Sequence, residues 1–567
     1  MKNTFTKLIG AAFLTAAVSG VQLLNAQAVT YNWVSHSGGT TYDYATSAFP
    51  DPSGNLYVTG MFRGTSDFDP GTGTSNLTSA GAEDIFVAKY DATGAYQWAV
   101  RIGGANSDIG KCVYHYSGGA VFVCGTFEGT VDFDPGSGTS NLTSQTAASA
   151  FILKLDPSGN FVWAKTIGSN MGTNLESFYV DFSGQVLLTG DYTGTVDLDP
   201  GAATVAAITT GQTDVFMVQL DASGNYVWGK TFGGSSFDHC ADVAVNGSGE
   251  IILTGYFAGT CDFEPGSGST TVTASSTDFY VAVYTSAGTL TWVKGIGGSG
   301  AESGNSIVVT GTDIAVTGSF EGTVDFDPGS GSTVLTAGTG ISDAFVMTLT
   351  SNGNFGWAAE LGGTSVDAGQ SIARDIAGNL FITGRFSGTA DFDPGAGTAN
   401  LVSAGNYDIF MLKLSAAGAH VWSGRVGGTS GDVGNCIVVD GNDNVYLAGY
   451  FAGTADFDPQ GGTANLTTAG QDDIFFGKYT QSGVGIAETS ALNLNVYPNP
   501  CAEIIQVTMN ANGATVFNIY NAAGQLVLTN YASASTASIN VSQLESGLYI
   551  LESVQDGNIS RSQFVKQ

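Results

Sequence analysis

A chain of 567 residues exceeds one ordinary domain, and its 43 % hydrophobic content with 33 Phe can build a large core, which argues against disorder. The formal net charge of −32, from 49 acids against 17 bases, disfavours nucleic acid and anionic membrane as partners and suits cations or basic surfaces. The acids would equally serve to keep an exported protein soluble, and both uses stay open.

Residues 1–26 read as a secretory signal: Lys2 and Lys7 form the basic start, LIGAAFLTAAV the apolar run, and Ala26 or Ala28 the cleavage edge. The apolar run falls short of the roughly 18–20 residues that a membrane span needs, and no other segment comes closer. The mature chain is expected to carry no transmembrane segment.

From Tyr31 onward the chain is periodic. The first acid of the phrase Asp-Phe-Asp-Pro-Gly stands at Asp67, Asp132, Asp197, Asp262, Asp325, Asp391 and Asp456, at steps of 63–66 residues. Every Trp keeps the same clock: Trp33, Trp98, Trp163, Trp228, Trp292, Trp357 and Trp422. A strict long period means one supersecondary unit copied in series. Within residues 108–168 the unit reads as four strands, KCVYHY, AVFVCGTF, SAFILKLD and FVWAKTIG, with Gly supplying the tight turns. The acid phrase is the long connection from the second strand to the third.

Four antiparallel strands in a unit of this length fit a propeller blade. A solenoid is the rival, and the chain ends separate the two. YNWVSHSGG is a fourth strand without its first three, while the last unit stops at its third strand, DIFFGKYT. A ring closes by pairing them, whereas a solenoid needs a polar cap at each end. The expectation is an all-β, seven-bladed β-propeller over residues 27–483, closed by an N-terminal strand. The Trp residues are then packing between blades, with sugar stacking as the lesser alternative.

The phrases DxxGNxYVTGxF, DxFxxKxDxxGxxxW and xxGG resemble the bacterial β-propeller repeat family known as SBBP repeats, over roughly residues 31–480. The resemblance implies the fold and leaves function open, since propellers host enzymes, lectins and scaffolds alike.

After a linker at 484–491 the rhythm changes. Alternating apolar residues and Gly or Asn turns over 492–567 suggest a small antiparallel β-sandwich. Asn495-Val496-Tyr497-Pro498-Asn499-Pro500, Asn521-Ala522-Ala523-Gly524-Gln525, Gly547-Leu548-Tyr549 and the basic end at Lys566 resemble the type A C-terminal sorting domain of type IX secretion in Bacteroidetes. The resemblance makes Tyr497, Pro498, Asn499, Pro500, Gly524, Gly547 and Tyr549 the sorting motif and the type IX machinery the partner. It implies passage through the periplasm, transport across the outer membrane, removal of the tail, and surface attachment or release. An ordinary adhesive sandwich with a similar turn is the alternative. In a bacterium the NLT sequons at Asn76, Asn141 and Asn465 are strand residues rather than glycan acceptors.

In an extended segment residues i and i+2 point the same way, so Asp132 and Asp134 project together with Phe133 turned inward. Such oxygen pairs suit a hard cation, Ca²⁺, which takes 6–8 oxygens. The candidate metal ligands are therefore Asp67, Asp69, Asp132, Asp134, Asp197, Asp199, Asp262, Glu264, Asp325, Asp327, Asp391, Asp393, Asp456 and Asp458. The competing reading has these acids capping turn amides. Glu264, Leu198 and Gln460 depart from the phrase, yet each copy keeps two carboxylates. The connections between blades carry a second phrase, Gly-Gly-x-x-x-Asp, at Asp108, Asp238, Asp367 and Asp432, expected on the same face.

Six Cys (Cys112, Cys124, Cys240, Cys261, Cys436 and Cys501) make no disulfide framework and no zinc spacing. Cys112 and Cys124 can face each other across a hairpin, as a disulfide or as buried thiols. His36, His115, His239 and His420 are too few and too scattered for a metal triad or a Ser-His-Asp set. Seven equivalent acid pairs are not the two unequal carboxyls of a glycosidase, so no catalytic residue is named. The leading expectation is a secreted or surface binding and adhesion module for a glycan or protein, stabilised by calcium. A polysaccharide lyase or hydrolase with its site in the propeller channel is the alternative, and a structural surface component the third. A blade departing from the others in channel-lining acids, His or Tyr would favour the enzyme.

Overall fold

The computed structural model describes residues 28–116, 118–266, 268–311, 313–338, 341–482, 495–508, 515–521, 526–532, 536–555 and 558–567. The expected secretory segment 1–26 and the expected linker 484–491 lie outside them. The chain divides into a large unit, Ala26–Ser482, and a second unit containing Gly483–Gln567.

In the large unit, β1 (Ala28–Gly39) is followed by β2 (Asp43–Pro50), β3 (Leu56–Asp67), β4 (Asn76–Tyr90) and β5 (Tyr96–Ile102). The last four form the first blade by successive antiparallel pairing. The apolar run Leu56–Phe62 of β3 is buried on both faces, because each blade is covered by a neighbour on either side. The turn between β2 and β3 is closed by Asp51, whose Oδ1 accepts from Ser53 N at 2.8 Å and Asn55 N at 2.9 Å. Gly54 supplies the positive φ of 82° that this turn requires.

Among the described residues this four-strand group recurs, and the seventh copy is incomplete in sequence. Val433–Val439, Val445–Asp456 and Asn465–Ser482 receive their fourth strand from β1, in register from Ala28↔Ser482 to Ser37↔Ile474. The innermost strands also join around a circle. Ser47 Oγ accepts from Val113 N, Ser306 Oγ from Ile372 N, and Ser371 Oγ from Ile437 N, at 3.3, 3.3 and 3.1 Å. The same position in the seventh blade, Cys436 Sγ, accepts from Ala48 N of the first at 3.4 Å. First and last blades are thus tied by the bond that ties the interior ones.

Three devices hold neighbouring blades. Trp33, Trp98, Trp292 and Trp357 each donate Nε1 to a backbone carbonyl 59 residues on, in the turn of the next blade. The Phe of the acid phrases, or Leu198 in its place, is buried at the junction with the preceding blade; Phe133, for instance, packs with Ile85 and Phe151. The strand carrying that phrase pairs backwards, Asp67 with Gly38 and Asp391 with Gly362, so each long connection straps its blade to the one before. The double glycine answers two contacts. A Cβ on Gly38 would stand 2.4 Å from Asp473 Cγ, and one on Gly39 would stand 2.2 Å from Thr65 O.

In the tail, Asn495–Tyr497, Ile504–Thr508 and Thr536–Asn540 form one sheet; Leu526–Ala532, Thr515–Asn521, Gly547–Gln555 and Asn558–Lys566 form another. Ile505, Val507, Phe517, Ile539, Leu551 and Phe564 share their core. Cys112 and Cys124 are register partners, as the hairpin requires, and both are free thiols.

Candidate functional site

The acid phrases first. Asp132 Oδ1 accepts from Asp134 N at 3.1 Å and Ser140 N at 2.7 Å, and Asp134 Oδ1 accepts from Gly136 N at 2.8 Å. Asp67, Asp197, Asp262, Asp325, Asp391 and Asp456 make the same paired bonds. Asp69, Asp199, Asp327, Asp393 and Asp458 repeat the second cap. Glu264, one methylene longer, turns instead to Thr270 Oγ1 at 2.8 Å. Amides donated by Thr333 and Asp327 hold the Asp325 carboxyl below its ordinary range. Each acid thus serves its own turn, which is what the capping reading asks.

The second phrase runs beside the acid phrase, as Gly38 against Asp67 and Gly362 against Asp391 show, but its acids turn into the blade junctions. Asp108, Asp238, Asp367 and Asp432 are fully buried, as are Asp43 and Glu302 at the corresponding places. Each accepts from the second glycine of the preceding blade, Asp108 from Gly104 N at 2.7 Å and Asp432 from Gly428 N at 2.7 Å. Across each of these junctions stands another buried acid, Asp84, Asp214, Asp278, Asp343, Asp408 or Asp473, carried on a third strand. Burial, and then the facing acid, raise Asp43, Asp108, Asp238 and Asp432 to about 6 and Glu302 to about 7. Nothing in the sequence separates these acids from loop acids, because their burial comes only from blade-to-blade contact.

The axial channel narrows to a cavity of about 340 Å³, lined by two residues from each innermost strand. Every such strand bulges there; the first shifts register between Ala45 and Ser47. The lining breaks the repeat at blades 2 to 4. Lys111 Nζ meets Glu176 Oε2 at 3.1 Å. Asp242, where other blades have Ser or Cys, accepts from Ser177 Oγ, Ser306 Oγ and Ile307 N at 2.8, 3.0 and 2.9 Å. Burial raises its carboxyl above the ordinary range against those bonds.

Two more departures flank the channel on the face of the acid loops. His239 Nδ1 lies 2.7 Å from Asp191 Oδ1 and its ring stacks on Tyr256 at 4.8 Å. Burial alone would lower that imidazole; the bond to Asp191 and nearby carboxylates outweigh it and raise it. On blades 6, 7 and 1, Tyr44 packs on Tyr450 at 4.3 Å and on Tyr42 at 6.2 Å. Tyr44 donates to Asp472 Oδ2 at 2.9 Å, and the Arg385 guanidinium sits 5.4 Å over the Tyr407 ring. Sequence reasoning missed both clusters, although comparing blades position by position would have exposed them: Tyr44 and His239 both stand second in their innermost strands.

The tail decides the rest. Asn499 Oδ1 accepts from Val565 N at 2.9 Å, which ties the exposed Tyr497-Pro498-Asn499-Pro500 segment to the last strand. Gly547 opens the strand Gly547–Gln555, and Tyr549 is buried, stacked on Phe564 at 5.6 Å with its hydroxyl donating to Glu545 O. Gly524 lies outside the described residues. A family model for the secretion system C-terminal sorting domain matches residues 495–567. The tail is a type IX sorting domain. A chain carrying this sorting domain is exported, to the cell surface or beyond it.

A second family model, the beta-propeller repeat, matches residues 356–388, from the Trp357 strand through the first two strands of the next blade. An uncharacterized WD repeat-containing protein of Acanthamoeba polyphaga mimivirus is 26 % identical over 76 % of this chain and 37 % of its own length. The chain therefore spans little more than a third of that relative. Among solved structures, PorZ, a surface component of the type-IX secretion system of Porphyromonas gingivalis, is 11 % identical, covering 92 % of this chain and 81 % of its own at a TM-score of 0.18. Latent PorU of the same organism is 11 % identical, covering 62 % and 31 % at a TM-score of 0.12. At those scores neither bears on this chain's role. No helix among the described residues is long and apolar enough to cross a membrane.

Proposed function

We propose that the propeller is an adhesion or binding module delivered by its sorting domain, and that it takes its ligand on the aromatic wall of blades 6, 7 and 1. The observation carrying this reading is the run Tyr42, Tyr44, Tyr450 and Tyr407 beside Arg385, which no other group of blades repeats. Flat rings edged by hydroxyls, a guanidinium and a carboxylate suit a sugar face or an extended peptide. The near-identical acid loops are spent on turns and straps, so selectivity falls to the positions where blades differ.

The test is a glycan and peptide array probed with the full chain and with Tyr44→Ala/Tyr450→Ala. Loss of about 2 kcal/mol or more of binding energy in the double variant supports the reading. Equal binding by both proteins, or binding of nothing, contradicts it, and the second outcome leaves a structural surface component.

The Asp191–His239–Tyr256 cluster and the channel acids favour a second reading, a polysaccharide lyase or hydrolase. Turnover of a polyanionic or neutral polysaccharide that disappears in His239→Ala would establish it. Calcium at the acid phrases belongs to the same proposal. What supports it is the crowding of paired carboxylates along the straps of a chain of net charge −32. A melting temperature that rises with Ca²⁺ beyond the effect of matched ionic strength would bear it out.

A further inference from the structure

In blades 1, 2, 6 and 7 the second and third strands pair an aromatic ring with a lysine: Tyr57 with Lys89, Phe122 with Lys154, Phe381 with Lys413 and Tyr446 with Lys478. Each ammonium stands over its own ring, 4.8–5.5 Å from the centroid. At the first junction blade 2 adds His115, stacked on Tyr57 at 5.2 Å. Ring and ammonium plug the junction at the end of the strands away from the acid phrases.

Blade 3 has Leu187 and Gln219 in these places, and blade 4 sets Val245 where blade 2 has His115. The plug is gone. A cavity of about 440 Å³ stands there between blades 3 and 4, walled by Tyr179, Leu187, Val245 and Ile251, with Asp181 and Gln219 among its polar groups. Phe182, 95 % exposed, stands at its rim. Blades 4 and 5 also lack the pair but are closed by other means. Ile252 and Val283 are both buried apolar residues. In blade 5 the places hold Ala315 and Thr348, and Arg374 of blade 6 reaches across to Asp313 O at 3.2 Å.

The turn bordering the cavity departs as well. In the matching turns Asn55, Asn379 and Asn444 donate Nδ2 to Oδ2 of Asp51, Asp375 and Asp440 at 2.7–2.8 Å. Gln185, one methylene longer, donates Nε2 to Ser183 Oγ at 3.1 Å instead. Asp181 accepts from Ser183 N, Ser183 Oγ and Gln185 N on Oδ1, which leaves Oδ2 open to an outside donor. Its charge is felt inside the cavity: burial, and then Asp181, raise the Tyr179 hydroxyl above its ordinary range.

We propose that this cavity binds a small aromatic amine, its ring on Leu187 and Val245 where other blades place a ring of their own, its ammonium at Asp181 beside Gln219. Mostly apolar walls with a few placed polar groups are what a small-molecule site requires. A chain of net charge −32 favours a cationic ligand. This site is independent of the aromatic wall, which lies at the other end of the strands.

Calorimetric titration of the full chain with tyramine tests it. Wild type takes up tyramine saturably, with a Kd of about 1 mM or tighter. The carboxylate analogue 3-(4-hydroxyphenyl)propionate binds at least about tenfold more weakly, because it sets like charge against Asp181. Asp181→Asn, which keeps the cap that Asn246 makes in blade 4, weakens tyramine binding about tenfold. Leu187→Tyr/Gln219→Lys rebuilds the plug of blade 1, abolishes uptake and melts higher than wild type. Should that double variant fail to fold, Asp181→Asn and the carboxylate analogue decide. No saturable uptake by wild type overturns the proposal, as does equal binding of the two ring compounds. Uptake undiminished in the variants overturns it too, and places the amine elsewhere on the chain.

Discussion

Asp132 is an acceptor before it is a charge. Its Oδ1 takes two backbone amides, so Asp132→Asn, which keeps an oxygen there, should melt within about 0.5 kcal/mol of wild type, whereas Asp132→Ala should lose about 1 kcal/mol. If the charge itself is needed to hold calcium, Asn will be as harmful as Ala when the ion is present. Phe133 beside it is fully buried, and Phe133→Ala should cost about 3–5 kcal/mol in a denaturant melt. The buried junction acids set the pH dependence. Asp43, Asp108, Asp238 and Asp432 sit at about 6 in the folded state, above the ordinary 3.8, so the folded chain holds protons that the unfolded chain has released. Their contribution is fully present below about pH 4 and is lost as pH rises through 6. Melting at pH 5 should therefore exceed melting at pH 7.5 in chelator by several degrees. A flat profile between those values would show that these acids are not buried as described.

At the scale of the strand, the blade was readable because its signals are local. Alternation, Gly turns and the Trp clock fix four strands, and i, i+2 geometry turns Phe133 inward. The backward strap, Asp67 against Gly38, was not readable, because it depends on which blade lies behind the loop. The buried acids escaped for the same reason. An Asp ahead of a strand looks like a loop residue until a neighbouring blade covers it. Glycine carries the junctions in a way that substitution can test. Gly94 has φ 83° and faces the Trp33 ring, where a Cβ would stand 2.7 Å from Cε3. Gly94→Ala should destabilise by about 1–2 kcal/mol through strain and clash together. Gly247→Ala, with no atom within 4 Å of the added Cβ and no positive φ, should leave the melt unchanged.

For the whole molecule, ring closure rests on β1. Removing residues 31–38 bares the strand Asn465–Ser482 along most of its paired length, and the truncated chain should aggregate and lose cooperative melting. Closure was legible in the sequence because each end lacks what the other holds. The ligand wall was not, since a repeat draws attention to what recurs while selectivity lies in what does not. If residues 495–567 are an address and the ring is what they deliver, export should follow the tail alone. The measurement is fractionation, with mass spectrometry, of a host possessing the type IX machinery and expressing either the full chain or one ending at Gly483. The full chain should appear at the surface or in the medium without most of residues 490–567, and the shortened chain should stay in the periplasm. A shortened chain that reaches the surface equally well, or an exported protein that still ends at Gln567, would contradict it.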